Sequence, residues 1–413
     1  MASGVVLLGG THGALSVARS FGRKNIPVVL LTDDHPLPKL SRYVSRSFDW
    51  PGALSPDAAQ WLVYFAIRHG LQNWLLIPCA DPEVTCVAQH LAALRSVFRI
   101  VSCDWQALRQ VCDKRLLAET AAAAGIDSPR SYPIWSAHDA ATVEVQFPVV
   151  LKPAMRMGRN DFTSRKAYRS NSRDELTRHY RHAASLVGQD EIVVQELVPG
   201  GGEQQFSYAA LWVGHAPVVE MTARRTRQFP IEFGHTSTFV EVVDNDAVKV
   251  AARRLLSLIG FEGLVEIEFK RDSRDGRYKV LDVNPRPWSW FSLFEAAGLD
   301  LPNLMRNTIP ADAIPPVRPR PGQVWLHLPK DIVVVALLML QGKFEFLSYI
   351  KAIRCKASYA AFAWDDPLPG LLEMPLVAYR VAGRAIAAAA RLGPRHAVAG
   401  KIKADREQPV KAG

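Results

Sequence analysis

The sequence has little cysteine, and its cysteines are poorly placed for cross-links or for metal binding. Five occur among 413 residues, an odd number with no Cys-x-x-Cys pair: Cys79, Cys86, Cys103, Cys112 and Cys355. Paired cysteines at fixed spacings are typical of disulfide frameworks and structural zinc sites. We therefore expect neither, and we expect a reducing compartment.

Long apolar runs are also missing. The longest candidate, Ile332 to Leu340, is about half of the ~20 residues that a helix needs to cross a bilayer. The opening residues, MASGVVLLGG, lack the basic segment and the long apolar core of a secretory signal. We expect a cytoplasmic protein with no transmembrane segment.

Nucleic-acid motifs and catalytic nucleophiles are absent as well. The net charge is +10, but no zinc-finger spacing or aromatic RNA-binding pattern accompanies it, so we expect no nucleic-acid partner. An anionic substrate, a nucleotide or an acidic membrane surface accounts for the charge equally well. No Ser-His-Asp or Cys-His signature indicates a protein nucleophile.

The first hundred residues contain apolar runs separated by helical segments. The predicted strands are residues 4–10, 26–32, 74–78 and 98–102. Such alternation is typical of a parallel α/β sheet. The turn Gly9-Gly10-Thr11-His12-Gly13, with Asp33 and Asp34 downstream, resembles a dinucleotide fingerprint without its usual spacing. An NAD-dependent oxidoreductase is therefore a lesser alternative.

The remaining chain divides at composition changes into two further regions. A helix opens at Asp113, strands cover 147–153 and 191–198, and a second helix covers 246–259. Beyond Pro310 the segment IPPVRPRPG indicates a linker before a helical region with a basic tail. The predicted domains are residues 1–110, an α+β domain at 111–310 with a smaller subdomain at about 125–200, and 311–413.

An acidic hairpin is the most informative feature of the sequence. In the strand VLDVN, Asp282 and Asn284 point to one side, because side chains alternate along a strand. A partner strand, residues 264–270, places Glu266 and Glu268 on one side in the same way. Clustered carboxylate and amide oxygens are ligands that Mg²⁺ accepts, usually together with substrate phosphates. The hairpin therefore predicts a site for Mg²⁺ and a polyphosphate.

Two lysines and a glycine-rich turn precede the hairpin. Lys114 stands at a helix start, Lys152 at a strand exit, and Glu203 follows three glycines. This order resembles the ATP-grasp superfamily, which includes biotin carboxylase and D-alanine–D-alanine ligase, over about residues 4–300. The resemblance implies an ATP-grasp architecture with an N-terminal parallel α/β domain and a helical C-terminal extension.

The resemblance also implies roles for individual residues. ATP phosphates would be bound by Lys114 and Lys152, adenine by the segment of Glu196 and Val198, and the ribose hydroxyls by Glu203. Magnesium ligands would be Glu266, Asp282 and Asn284, with Glu268 as the alternative to Glu266, and Arg286 would steady the acyl phosphate or the acceptor. The sequence departs from the family in its phosphate loop, residues 154–160, which has one glycine and two arginines.

The segment RRTRQFP lies between the nucleotide strands and the acidic hairpin. Arg225 and Arg227 share a side if this segment is extended. We expect them to bind the γ-phosphate or a substrate carboxylate, although a solvated basic loop is the simpler interpretation. His235, in the following turn, is interpreted as a loop residue.

The function implied by the resemblance is ligation of a carboxylate to an amine. ATP and Mg²⁺, or Mn²⁺, would support formation of an acyl phosphate, and attack by the amine would release ADP and phosphate. The expected partners are a small carboxylic acid and an amine, while a homo-oligomer and peripheral membrane contact stay open. A non-catalytic nucleotide-binding or membrane-associated scaffold is the other alternative.

Overall fold

The computed structural model describes residues 4–33, 35–158, 160–164, 167–231, 236–306, 319–342 and 357–392. Asp34, Arg159, His235 and the whole of the predicted basic tail lie outside these residues. The chain forms two compact units, Met1–Gly370 and Leu371–Gly413.

The strands of the described residues are β1 (Val5–Leu8), β2 (Val28–Leu31), β3 (Arg46–Phe48), β4 (Leu75–Pro78), β5 (Ser131–Tyr132), β6 (Val149–Pro153), β7 (Tyr168–Ser170), β8 (Ile192–Glu196), β9 (Gln205–Val213), β10 (Ala216–Phe229), β11 (Thr236–Val243), β12 (Gly263–Arg271), β13 (Tyr278–Asn284), β14 (Val324–Leu326) and β15 (Ala357–Tyr359).

The α-helices of the described residues are α1 (His12–Gly22), α2 (Ala58–Arg68), α3 (Asp81–Gln89), α4 (Leu91–Arg95), α5 (Trp105–Cys112), α6 (Lys114–Ala123), α7 (Ala137–Thr142), α8 (Asp161–Ser164), α9 (Arg173–Ala184), α10 (Asp246–Leu258), α11 (Ser292–Ala296), α12 (Leu301–Arg306), α13 (Leu328–Leu340) and α14 (Leu368–Leu392).

The N-terminal strands form a parallel sheet in the order β3-β2-β1-β4. The runs VVLL of β1 and β2 are completely buried, because α1 packs on one face and α2, α3 and α4 pack on the other. The predicted parallel α/β sheet is therefore confirmed.

The predicted strand at residues 98–102 is wrong. Arg99 makes a single bridge to Leu75, and its backbone N–H and C=O bond to Trp74 and Leu76. The chain then leaves the sheet edge, so that the Val101 carbonyl oxygen lies 2.9 Å from where a β-carbon on Gly263 would stand. This close approach favours glycine at position 263. Because the chain turns away here, the pairing with β4 ends after the single bridge at Arg99.

The predicted smaller subdomain has its own antiparallel sheet, in the order β5-β8-β6-β7. Apolar side chains of β6 and β8 form a core with helices α7 and α9. This core is separate from the other hydrophobic clusters of the chain. Lys152 lies near the end of β6, and Glu196 is the last residue of β8.

The central sheet has the order β13-β12-β9-β10-β11-β14-β15. The predicted hairpin is confirmed as β12 and β13, with Glu266 opposite Asn284 and Glu268 opposite Asp282. An irregularity in register follows Glu268. The pairing sets all four polar residues in two adjacent rows of one hairpin.

The region after residue 318, predicted to be helical, also contains two strands, β14 and β15. Strand β14 pairs antiparallel with β11 and parallel with β15, and α13 packs against β10 and β11. The central sheet therefore continues past the predicted linker. Among the described residues, none of the helices has the length and apolar character to cross a membrane.

Candidate functional site

A cleft opens between α3, the start of α6, the phosphate loop and the exit of β13. It includes both predicted phosphate-binding and predicted metal-binding positions. Its walls are Asp81, Val84, Thr85, Cys112, Lys114, Met155, Arg156, Met157, Asp282, Val283, Asn284 and Pro285.

The carboxylate of Glu266 lies at the buried centre of the acidic hairpin. It accepts hydrogen bonds from Ser207 Oγ at 2.8 Å, Asn284 Nδ2 at 3.1 Å and Trp290 Nε1 at 3.2 Å. Burial raises its pKa, while the charge of Arg225 opposes that rise. This carboxylate is thus oriented by three donors before any ligand arrives.

The guanidinium of Arg225 is buried against both glutamates of β12. Its Nη1 lies 2.6 Å from Glu268 Oε1 and 3.7 Å from Glu266 Oε1, and its Nε donates to Ser237 Oγ at 2.6 Å. Burial would lower the pKa of Arg225, but the neighbouring carboxylates outweigh burial and raise it. One fixed cation is therefore shared by two carboxylates.

The side chain of Arg227 has a different partner. It donates from Nε and Nη2 to the buried carboxylate of Asp331 at 2.9 and 2.8 Å, and it lies 4.2 Å from the ring centre of Phe239. An irregularity in the pairing of β10 with β11 falls between Arg224 and Arg227. The structure brings Arg225 to the acidic residues and pairs Arg227 with α13, so the role of Arg227 in phosphate or acid binding stays a prediction.

Lys114 enters the cleft from the first turn of α6. The helix begins there because Asp113 caps it, accepting the backbone N–H of Arg115 at 3.0 Å. The backbone N–H of Lys114 donates to Ala154 in the phosphate loop, and its Nζ donates to Asp282 Oδ1 at 3.1 Å. A buried ammonium therefore stands between the predicted metal and phosphate positions.

Lys152 lies on β6 of the smaller subdomain, outside the residues that line the cleft. Its Nζ donates to Gln195 Oε1 on the neighbouring strand at 3.4 Å. Gln195 directly precedes Glu196, so Lys152 stands beside the predicted adenine segment. The structure places the two predicted phosphate lysines on different elements, Lys114 at the start of α6 and Lys152 near the end of β6.

The carboxylate of Glu196 is bound by cations of the acidic hairpin. Lys279 Nζ lies 2.5 Å and Arg274 Nη2 2.8 Å from it, and the completely buried Asp272 binds the same two cations. Burial would raise the pKa of Glu196, but these hydrogen bonds lower it. Ion pairs thus connect the end of β8 to the hairpin of β12 and β13.

The other two predicted nucleotide residues follow Glu196 directly. Val198 is buried. Glu203 lies in a single 3₁₀ turn, Gly202–Gln204, where its carboxylate accepts the backbone N–H of Gly201 at 3.2 Å. Its predicted contact with ribose hydroxyls stays a prediction.

Arg286 joins the acidic hairpin to the N-terminal sheet. Its Nη2 donates to Asn284 Oδ1 at 3.1 Å and to Asp81 Oδ2 at 3.3 Å, and its Nε also donates to Asp81. Asp81 is the first residue of α3. Our sequence reasoning missed it, although an Asp-Pro helix start behind a parallel strand was an available signal.

Packing explains the Gly9-Gly10 turn of the N-terminal sheet. Both glycines have positive φ, 68° and 85°, and a β-carbon on Gly9 would lie 2.4 Å from Glu83 Oε1. Burial raises the pKa of Glu83 to about 7. A carboxyl group therefore packs on the turn where a dinucleotide fingerprint would hold a pyrophosphate.

No protein-family model matches the chain. Residue identity is 22% over 238 residues to the D-aspartate ligase of Enterococcus faecium, a match that covers 52% of this chain and 53% of that protein. The chain thus spans about half the length of this curated relative.

Two solved structures are similar over most of the chain. An L-amino acid ligase from Bacillus licheniformis superposes with a TM-score of 0.58 and 15% identity, covering 78% of this chain and 79% of the ligase. The second is the biotin carboxylase domain of 2-oxoglutarate carboxylase from Hydrogenobacter thermophilus, in complex with MgADP and bicarbonate. It superposes with a TM-score of 0.54 and 14% identity, covering 69% of this chain and 64% of that domain.

The chain has the ATP-grasp fold. The antiparallel sheet of β5 to β8 has a hydrophobic core of its own, and the hairpin of β12 and β13 belongs to the central sheet. The donor set of this hairpin fits a divalent cation, because three carboxylates and an amide supply oxygen atoms. Arg225 and Lys114 offset two of the three negative charges, and a cation would offset the rest.

Proposed function

We propose that this protein is an ATP-dependent ligase that activates a carboxylate as an acyl phosphate and joins it to an amine, releasing ADP and phosphate. The observation that carries the proposal is the meeting of Lys114, Asp282 and Asn284 in the wall of one cleft. Arg286 binds Asn284 and Asp81 of the same wall. The D-aspartate ligase and the L-amino acid ligase, each named for joining an amino acid, support this reaction class.

The proposed ATP site lies between the smaller subdomain and the acidic hairpin. Adenine would contact backbone groups from Glu196 to Val198, because the Glu196 carboxylate is already bound by Lys279 and Arg274. Glu203 would accept ribose hydroxyls, and Lys152 and Lys114 would bind phosphate oxygens. The described part of the phosphate loop offers Arg156, which lines the cleft.

The proposed metal ligands are Glu266, Asp282 and Asn284, with Glu268 as the alternative to Glu266. Mg²⁺, or Mn²⁺ in its place, would offset charge on the triphosphate when bound. Glu266 is held by Ser207 and Trp290. Its orientation is therefore set before binding, which lowers the cost of organising the site.

The reaction requires the chain to place two anions close together. Arg286, held by Asp81 and Asn284, would bind the carboxylate substrate or its acyl phosphate beside the cleft. Arg225 would act as a fixed positive charge behind the acidic residues, and Arg227 is proposed to act with it only if its bond to Asp331 opens. The carboxylate oxygen would attack the γ-phosphorus of ATP, and the bond to ADP would break. The amine would then attack the acyl carbon and lose a proton as the bond to phosphate breaks, so that the amide forms and phosphate leaves.

The test is a screen for ADP release with mixtures of carboxylic acids and amino acids, followed by mass detection of the product. An amide whose mass equals the sum of the acid and the amine less one water is the expected result. ADP release that needs neither an acid nor an amine would contradict the proposal.

A thermal-shift comparison distinguishes the two alternatives. We expect ATP with Mg²⁺ to raise the unfolding temperature and NAD to leave it unchanged. Protection by NAD alone would favour an oxidoreductase, while ATP protection without product in the screen would favour a non-catalytic nucleotide-binding protein. A cytoplasmic location is part of the proposal, because the odd number of cysteines without Cys-x-x-Cys pairs is typical of a reducing compartment.

A further inference from the structure

Helix α13 exposes apolar side chains on the side where an amphipathic surface helix normally has polar ones. The face, called here the outer face of α13, consists of six large side chains, each at least 40% exposed: Leu328, Ile332, Val333, Leu337, Met339 and Leu340. At 100° per residue, these positions span about half of the helix circumference. Leu340 is 85% exposed.

The opposite side of α13 holds the helix in place. Asp331, Val334 and Val335 are buried, where the helix packs against β10 and β11. The two hydrogen bonds between Arg227 and Asp331 anchor its first turn. A helix with one buried side normally has polar residues on the other. The apolar side chains of the outer face therefore indicate that this side also contacts an apolar surface.

The second unit, considered alone, shows a similar composition. Its helix residues Leu371, Met374 and Tyr379 are each more than half exposed. Exposed apolar surface is therefore a property of both units in this part of the sequence. Contiguous exposed apolar surface of this kind marks interaction sites.

Charge identifies the kind of partner. Residues 328–413 contain 13 Lys and Arg and 7 Asp and Glu, a net charge of +6, whereas residues 1–327 contain 37 and 33, a net charge of +4. The last fifth of the chain thus carries most of the excess positive charge. An anionic bilayer attracts such segments, while two copies of the same basic region repel each other.

We propose that the outer face of α13 docks on an anionic phospholipid surface. The apolar side chains would enter the boundary between headgroups and acyl chains, with the helix lying in the plane of the membrane. The basic residues downstream would supply electrostatic attraction. Given the proposed function, the ligation would then take place at a membrane surface.

Flotation of the full chain with vesicles tests the proposal. We expect binding to vesicles of phosphatidylcholine and phosphatidylglycerol in equal parts, and much weaker binding to phosphatidylcholine alone. Ile332→Asp should lower the partition coefficient about tenfold or more, because an apolar contact is lost. The matched control is Ile67→Asp on α2, since both isoleucines are 56% exposed; this variant should bind like the wild type.

Leu340→Asp is the second test variant, in case Ile332→Asp unfolds. A thermal unfolding curve for each variant checks that it is folded. High salt should weaken binding of the wild type, because exposed charges are then screened. Absence of wild-type binding to the anionic vesicles would overturn the proposal, as would equal binding by the folded test variants. Sedimentation showing a dimer that Ile332→Asp dissociates, without vesicle binding, would assign the face to a second copy instead.

Discussion

Replacing Arg225 by methionine tests whether the acidic hairpin binds Mg²⁺. Arg225 is buried beside Glu266 and Glu268, so its loss leaves two buried carboxylates without their shared cation. Removing one partner of a buried ion pair costs about 3–5 kcal/mol. We expect the free energy of unfolding in urea, without divalent cations, to fall by this amount.

Magnesium should restore part of the stability of the Arg225→Met variant. A ligand that binds only the folded state at ten times its dissociation constant adds about 1.4 kcal/mol. We expect a larger gain from MgCl₂ in the variant than in the wild type, since the two carboxylates then accept the cation without competition from the guanidinium. Sodium chloride at equal ionic strength corrects for screening.

Arg227→Met is the matched control. Arg227 is two residues away and also binds a buried carboxylate, that of Asp331, which lies on α13. This variant should lose a similar amount of stability, but magnesium should not restore it preferentially. Equal rescue of the two variants, or rescue of neither, would refute the assignment of the acidic hairpin as the metal site.

The remaining predictions concern the cleft and its supporting residues. Asp282→Asn combined with Asn284→Ala should abolish ADP release while circular dichroism remains unchanged; retained turnover would contradict the ligand assignment. Lys114→Ala and Lys152→Ala should each weaken ATP binding by about 1–3 kcal/mol in calorimetry, and unchanged affinity in both would count against the phosphate roles. Glu83 has a folded-state pKa of about 7, raised by burial from 4.5, so the stability that it contributes is fully present below about pH 4.5 and is lost as the pH rises through 7. Urea unfolding from pH 5 to 8 should therefore show that the free energy of unfolding of the wild type falls by up to about 3 kcal/mol, and Glu83→Gln should not show this fall. The same fall in both proteins would refute the role of Glu83.

The sequence predicted the acidic hairpin because its signal is local. Alternation places Glu266 with Glu268 and Asp282 with Asn284, and six turn residues between the strands indicate the hairpin. The sequence did not contain the register, which sets Glu266 opposite Asn284. Nor did it contain the donors to Glu266, since Ser207 and Trp290 are distant along the chain and have no recognisable motif.

The strands β9 to β11 escaped prediction for a different reason. Strand β9 is buried along most of its length, so the alternation of polar and apolar residues that marks a half-exposed strand is absent. In β10 a solvated basic loop was the simpler interpretation of Arg224 to Arg227, but their charges are neutralised by Glu241, Glu268 and Asp331. These partners become neighbours only in the folded chain.

Strand β14 has a consequence for how the protein can be shortened. It covers the edge of β11 through Phe239, Val240 and Glu241, although it lies beyond the predicted linker at residue 310. A chain cut there would present an unpaired strand edge, which templates pairing with other molecules. Recombinant fragments ending near residue 310 should therefore aggregate during expression, whereas those that retain residues 311–370 keep this edge covered.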